Sequence, residues 1–266
     1  MVLSKLANNC PLLFRRRKLV LPVSLHGMAS RLQQDPADID AQKRLAVLAN
    51  AMADAKALLK AGEHETNKGA SSSMTPEQVE KTIATWPEAA KMGVNQMVVQ
   101  YGQPNEGTPT KLFWFDRATW KRIQLTSDQV VHQFPAPHAD FLSQYIDYEV
   151  PLDKLDELGR FTGSCLIDRA SGEAGARCDS EGANFLSINL MHEIVTGKRT
   201  VDDARAFYSE TLSAYCLGES APHCEGFLFE LPKRNSGDPD KPVTPGPKAK
   251  EITKKVDEFL RTSGRA

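Results

Sequence analysis

Strand-type and helix-type patterns occupy different parts of the central stretch of this 266-residue chain. Two strand-like runs, Lys111–Phe115 and Trp120–Leu125, come first, and two well-delimited helical segments that end at Gly197 and Gly218 come later. Strands and helices do not alternate as they do in folds built on a parallel sheet. The order predicts an α+β fold, in which an antiparallel sheet of several short strands has helices packed mainly on one face.

Composition divides the chain into four segments. Residues 1–34 are predicted to be a basic leader or disordered arm, and residues 35–74 an amphipathic helix followed by a Gly/Ser linker. Residues 75–232 are predicted to be the α+β core domain, and residues 233–266 a disordered tail that carries a short amphipathic helix. The core begins at a capping box, Thr75-Pro76-Glu77-Gln78.

The leader contains basic residues but no Asp or Glu before Asp35, which is typical of targeting segments. Arg16-Arg17 followed by a short apolar stretch is compatible with a twin-arginine export signal, and the composition is also compatible with an organellar transit peptide. The third interpretation is a disordered arm, or translation that starts at Met28. We favour the last interpretation and a cytoplasmic location.

Net charge argues against nucleic acid as a partner, and the lengths of the apolar runs argue against a membrane span. The formal net charge is −1, so no overall field attracts nucleic acid. Aromatic and basic residues do adjoin at Trp114 and Trp120-Lys121-Arg122, but neighbours on a strand face opposite sides, and buried tryptophans are the simpler interpretation. No apolar run approaches the ~18 residues that a membrane span needs. We therefore expect no nucleic acid and no membrane span.

A partly apolar seam runs along the first predicted helix. Leu45, Leu48, Met52, Ala55 and Leu59 follow the alternating spacing of three and four residues that coiled coils use. The seam covers barely two heptads. It predicts either packing on the protein's own core or a homo-oligomer assembled through these helices.

Local signals predict most of the core elements. Trp86-Pro87 is expected to interrupt the helix that starts at Thr75, because proline lacks a backbone donor. The proline-rich stretch His132–His138 is predicted to be irregular and extended. Residues Phe141–Leu158 are predicted to contain a short helix, a strand near 146–150 and a second helix after Pro151. Glu225–Leu231 is predicted to be a strand.

A hairpin is predicted around Ser171-Gly172, taken as a two-residue turn. This register places Cys165 opposite Cys178 and puts both on one buried face with Ile167 and Ala176. Opposed cysteines lie within the range of a disulfide. We favour two buried thiols, with a disulfide as the alternative if the protein is exported.

The best candidate for chemistry is a metal site at His138 and Asp140, with His132 nearby. The His-x-Asp spacing places an imidazole and a carboxylate on one side of an extended chain, and a distant histidine would complete the two-histidine, one-carboxylate set of non-haem iron enzymes. His223 is the preferred third ligand and His192 the other choice. The alternative is that His132 and His138 brace the proline-rich loop through backbone carbonyls.

A second candidate is thiol chemistry at Cys216 and Cys224, which flank a loop that contains His223. A histidine beside a thiol can lower its pKa and make it a nucleophile. The simpler interpretation is two small apolar side chains near the end of a helix. No phosphate-binding loop, nucleophile elbow, zinc-protease or dinucleotide motif is present.

Several short motifs of the core resemble a family of uncharacterised bacterial proteins. They are Trp86-Pro87, Tyr101-Gly102-Gln103-Pro104, Trp120-Lys121-Arg122, His132-x-Phe134-Pro135-x-Pro137-His138-x-Asp140, Ala176-Arg177-Cys178 and Val195-Thr196-Gly197-Lys198-Arg199. The resemblance implies no activity, and it implies that the first 70 or so residues are an addition to the family domain.

The sequence alone assigns no function. The leading hypothesis is a soluble α+β module that binds a partner or a small ligand. The alternative is a metal-dependent enzyme, with iron or zinc held by His138, Asp140 and His223.

Overall fold

The computed structural model describes residues 40–66, 69–232 and 237–264. The predicted leader lies outside the described residues. Two compact units are present: Met52–Lys248, and a second that combines the described parts of Met1–Ala51 and Ala249–Ala266. The larger unit contains the sheet and most of the helices.

Six strands form one antiparallel sheet in the order β1-β2-β3-β4-β6-β5. The predicted α+β class is thereby confirmed. The central strands carry much of the buried apolar core, including Trp114, Ile123 and Leu142. The strands are β1 (Glu106–Thr108), β2 (Lys111–Arg117), β3 (Trp120–His132), β4 (His138–Asp147), β5 (Cys165–Asp168) and β6 (Glu173–Cys178).

Eight α-helices lie among the described residues, and local signals explain several of their limits. Thr75 caps α2 through the predicted capping box, and α2 and α3 are separate helices on either side of Trp86-Pro87, as predicted. The helices are α1 (Ala41–Ala61), α2 (Pro76–Ile83), α3 (Glu88–Tyr101), α4 (Leu155–Phe161), α5 (Glu181–Val195), α6 (Val201–Cys216), α7 (Pro222–Glu225) and α8 (Pro247–Thr262). No described helix is long and apolar enough to cross a membrane.

The β3–β4 hairpin is longer than predicted. Strand β3 continues to His132, which pairs with His138, so only residues 133–137 connect the two strands. The predictions of a helix after Phe141 and of a strand near 146–150 were wrong, since β4 already ends at Asp147. Strand β4 pairs with β3 and with β6 and is buried over most of its length. Such a strand lacks the alternating pattern that would identify it.

The predicted register of the second hairpin was wrong by two residues. Cys165 pairs with Ala176 and Asp168 with Glu173, which leaves a four-residue loop in place of a two-residue turn. The Asp168 carboxylate accepts hydrogen bonds from the backbone of Ala170 and Ser171 and so stabilises the wider loop. A shift of two residues preserves the side-chain alternation, so the predicted set still shares one face.

Cys165 and Cys178 are both free thiols in this register. Because Cys178 lies two residues beyond the partner of Cys165, the two are diagonal neighbours, roughly 7–8 Å apart, beyond comfortable disulfide range. We expect oxidation with diamide to produce no Cys165–Cys178 cross-link, as measured by peptide mass mapping. Recovery of that disulfide in a folded, monomeric sample would contradict the observed register.

No strand forms at 225–231, contrary to prediction. Residues Pro222–Glu225 form the short helix α7, and the chain that follows, as far as residue 232, has no regular secondary structure and lies outside the sheet. The buried Asn189 side chain on α5 supplies the hydrogen bonds that a strand partner would have supplied. Its amide donates to the carbonyls of His223 and Gly226, and its oxygen accepts from the backbone of Leu228.

Segments outside the predicted core contact it. The carboxylate of Glu65 lies 2.6 Å from Lys121 Nζ, and the carbonyl of Ala70 accepts a hydrogen bond from Asn105. On the C-terminal side, Asp240 pairs with Arg169 at 2.8 Å. The larger compact unit therefore extends beyond both predicted limits of residues 75–232.

The seam on α1 is largely exposed. Leu48 is 40% exposed, Met52 44% and Leu59 62%, while Ala49 is fully buried. Assembly through this seam stays a prediction. The predicted amphipathic helix of the C-terminal segment is α8, on which Val256 is buried and Ile252 is 40% exposed.

Candidate metal centre

The β3–β4 hairpin brings two histidines and an aspartate together. His132 and His138 are directly opposed across the hairpin, and Asp140 follows two residues later on the same face of β4. One potential ligand atom from each residue lies within 4.8 Å of the others. The aspartate is fully buried, whereas each histidine side chain is 17% exposed. The cluster thus joins a buried carboxylate to two imidazoles that solvent can reach.

Asp140 is held from several sides. Ser164 Oγ donates to Asp140 Oδ2 at 2.5 Å, and Arg177 Nε lies 3.7 Å from the same oxygen. The other oxygen, Oδ1, lies 3.0 Å from His138 Nε2. That contact does not have hydrogen-bond geometry, and Oδ1 has no hydrogen-bond partner among the described residues. A buried carboxylate oxygen without a donor is costly unless a cation neutralises it.

The orientation of His138 determines which of its nitrogens is available. Nδ1 lies 2.7 Å from the carbonyl oxygen of Ala136, which can only accept, so Nδ1 carries the hydrogen. In the neutral ring, Nε2 then carries a lone pair, and it lies 3.0 Å from Asp140 Oδ1 and 3.4 Å from Cys178 Sγ. Nε2 and Oδ1 are both electron-rich, and at this separation a metal ion bound to both would relieve their repulsion.

His132 completes the cluster from the opposite strand. Its Nδ1 lies 3.2 Å from Ser164 Oγ and 3.6 Å from Asp140 Oδ2, and its Nε2 lies 3.4 Å from Thr162 Oγ1. Burial lowers the pKa of His132 below its ordinary value. The neutral imidazole that results is the form that binds a metal.

The same geometry argues against a nucleophilic triad. Such a triad needs the nucleophile and the carboxylate on opposite nitrogens of the histidine. Here Cys178 and Asp140 contact the same nitrogen of His138, and Ser164 and Asp140 contact the same nitrogen of His132. Burial also raises the pKa of Cys178 to about 12, so its thiol is protonated.

The structure does not bring His223 into this cluster, so its predicted role as third ligand is corrected. His223 Nε2 lies 3.3 Å from Glu193, and its ring packs against Phe207. His192, the other choice, contacts the Tyr148 hydroxyl and stacks on Phe229. His132 stands in their place, because the hairpin pairs it directly with His138.

The second candidate, thiol chemistry near His223, gains no support. Cys224 is buried, and burial raises the pKa of its thiol to about 11. A thiol with a raised pKa is a poor nucleophile near neutral pH. Cys216 is exposed and stands at the end of α6. The simpler interpretation, in which Cys224 fills the core, fits this environment.

Sequence reasoning missed three residues around the metal cluster: Ser164, Arg177 and Cys178. Arg177 and Cys178 stand in one of the short motifs named above, but no local spacing links any of the three to the histidines. They come from β6 and from the residue before β5, and they reach the histidines only through strand pairing. The tryptophans considered for nucleic-acid binding are fully buried. Their indole nitrogens donate to the Gly102 carbonyl and to Glu181.

The cluster therefore consists of two imidazoles, a buried carboxylate and an adjacent thiol, which lie together at the loop end of the β3–β4 hairpin. Comparison with models of known protein families, with curated proteins and with solved structures found no match to this chain.

Proposed function

We propose that this protein binds a divalent transition-metal ion through His132, His138 and Asp140 and that it acts as a metal-dependent enzyme. The observation that carries the proposal is the approach of His138 Nε2 to Asp140 Oδ1 at 3.0 Å without hydrogen-bond geometry. Ligands of a zinc or iron ion lie about 2.0–2.3 Å from the metal, so neighbouring ligand atoms are roughly 3–4 Å apart. The distances from Asp140 to the two histidines, 3.0 Å to His138 and 3.6 Å to His132, fit that spacing.

The donor set favours zinc or iron(II) over magnesium or calcium. Imidazole suits the transition metals, whereas the two hard cations prefer sites made only of oxygen ligands. Two histidines and one carboxylate occupy three positions of such an ion and leave others for water or substrate. The partial exposure of both histidines gives those positions access to solvent.

Neighbouring groups orient the ligands. The Ala136 carbonyl holds the His138 ring, and the hydroxyls of Ser164 and Thr162 contact His132. Ser164 also donates to Asp140 and directs that carboxylate. Such contacts behind the ligands raise metal affinity by fixing the tautomer and the ring orientation. The alternative role predicted for His132 and His138 was to brace the proline-rich loop by hydrogen bonds. Hydrogen bonds of this kind would also hold the two rings in position for a metal ion.

The first test is metal titration of the purified, metal-depleted protein. We expect one Co²⁺ or Zn²⁺ per chain by elemental analysis after desalting, and we expect the ion to be lost in His138→Ala and Asp140→Asn. His223→Ala is the matched control, because it removes a histidine outside the cluster and should retain the metal. Circular dichroism checks that each variant is folded.

Two results would overturn the proposal. One is a metal-replete, folded wild type that retains no ion on desalting, and the other is equal stoichiometry in His138→Ala and the wild type. If His223→Ala retains the metal and His132→Ala loses it, the third ligand is His132, as the structure indicates, and not His223, as the sequence predicted.

A further variant tests whether the neighbouring thiol is a fourth ligand. Cys178 Sγ lies 3.4 Å from His138 Nε2, within the spacing of two ligands on one ion. We expect Co²⁺ in the wild type to show a thiolate-to-cobalt charge-transfer band and Cys178→Ser to lose the band while keeping one ion per chain. An identical spectrum in the variant would show that the thiol is not a ligand.

A further inference from the structure

A second site lies away from the metal cluster. A cleft of about 900 Å³ opens between α3 and the start of α5, with α6 and α7 at its far side. This volume falls within the ~300–1,000 Å³ usual for small-molecule sites. All of its lining residues belong to the larger compact unit. None of the three metal-cluster residues contributes to the lining, so the cleft is a separate candidate site.

Glu181, in the first turn of α5, is an anchored acceptor in this cleft. Its Oε1 accepts hydrogen bonds from Tyr101 at 2.6 Å, Trp120 at 2.7 Å and Gln144 at 2.8 Å. Three donors on one oxygen orient the carboxylate rigidly. The structure shows no hydrogen bond to Oε2 from the described residues, so the second oxygen retains its capacity to accept.

The electrostatic balance of the cleft is negative. Glu225 lines it together with Glu181, and no lysine or arginine is among the lining residues. Among the described residues, Glu225 accepts one hydrogen bond, a long one of 3.3 Å from the Ala221 backbone. Two carboxylates without a basic partner in the same cleft attract a cation and disfavour an anion.

The walls suit an organic cation better than a bare metal ion. Phe185 and Met97 supply buried apolar surface, and Tyr215 supplies a half-exposed aromatic ring. Aromatic faces attract ammonium groups and pack against flat apolar bodies. The side-chain amides of Asn95 and Gln96 add hydrogen-bonding groups along α3. The cleft thus combines two carboxylates, Glu181 and Glu225, with the aromatic side chains of Phe185 and Tyr215.

We propose that this cleft binds a small organic amine that has an aromatic or other flat apolar body. The ammonium group contacts Glu181 and Glu225, and the apolar body packs against Phe185 and Tyr215. The proposal is independent of the metal centre, because it uses none of the same residues.

The test uses tryptamine as the probe and tryptophol, which replaces the ammonium with a hydroxyl, as its neutral counterpart. Chemical-shift titration of ¹⁵N-labelled full-length protein should show saturable tryptamine binding with a Kd of ~1 mM or tighter. The shifts should be concentrated at Phe185, Tyr215 and Glu225. Tryptophol should bind at least about tenfold more weakly, since it lacks the charge-assisted contacts.

Two variants sharpen the test. Glu225→Gln should weaken tryptamine binding about five- to tenfold and leave tryptophol binding unchanged, because only the charge is removed. Glu219→Gln, an exposed acid outside the lining, is the matched control and should bind like the wild type. Absence of saturable tryptamine binding, equal affinity for tryptamine and tryptophol, or shifts elsewhere on the protein would overturn the proposal.

Discussion

Replacement of Glu181 with leucine is expected to lower the free energy of unfolding by about 3–5 kcal/mol. The substitution leaves Tyr101, Trp120 and Gln144 without their common acceptor. Trp120 and Gln144 are fully buried, so water cannot readily replace the lost hydrogen bonds. These donors come from α3, β3 and β4, and the carboxylate that joins them belongs to α5. Its loss should loosen the packing of helices on the sheet.

Urea denaturation followed by circular dichroism at pH 7 measures this effect. Glu181→Gln should cost less than Glu181→Leu, because the amide oxygen can still accept from part of the donor set. Glu225→Gln removes a carboxylate that has one long hydrogen bond and should change the free energy of unfolding by less than about 1 kcal/mol. A loss below about 1 kcal/mol in Glu181→Leu would show that the network contributes little.

The second large effect is acid destabilisation through Glu193. Burial alone would raise the pKa of this carboxyl, but hydrogen bonds from Lys198, Arg199 and His223 outweigh it and lower the pKa from 4.5 to about 2. The folded state thus binds the proton more weakly than the unfolded state. The stabilisation is complete above about pH 4.5 and is lost as the pH falls toward about 2.

We expect this group to contribute about 1–3 kcal/mol at neutral pH; the exposed position of Lys198 reduces its share. Glu193→Gln should therefore be less stable than the wild type at pH 7 and should approach it near pH 2.5. The measurement is the difference between the two proteins in free energy of unfolding by urea across that range. A difference that does not change with pH would contradict the assignment.

The local elements of the fold follow from short-range chemistry and could be predicted. The Thr75 capping box and the break at Trp86-Pro87 depend on residues only a few positions apart. Thr200 caps α6 through the Asp203 backbone in the same way. The α+β class followed from the order of these elements, since no alternation of strand and helix was present.

The errors arose where long-range contacts decide the structure. Strand β4 was misread because it is a central strand and lacks an alternating pattern. The sequence after α7 has the pattern of a strand. Its backbone instead forms hydrogen bonds with the side chain of Asn189, more than thirty residues earlier in the chain, and lies outside the sheet. The hairpin register depended on the side chain of Asp168, which stabilises a wider loop than the Ser171-Gly172 pair suggested.

For the candidate metal centre, the sequence by itself determined that His138 and Asp140 share one side of the chain, because alternation along a strand is a local property. Tertiary structure decided that His132, and not His223, lies beside them, since strand pairing sets which distant residues meet. The nearby Ser164, Arg177 and Cys178 likewise depend on the pairing of β4 with β6 and of β6 with β5. Propensity and spacing act over a few residues, whereas register and packing involve the whole sheet.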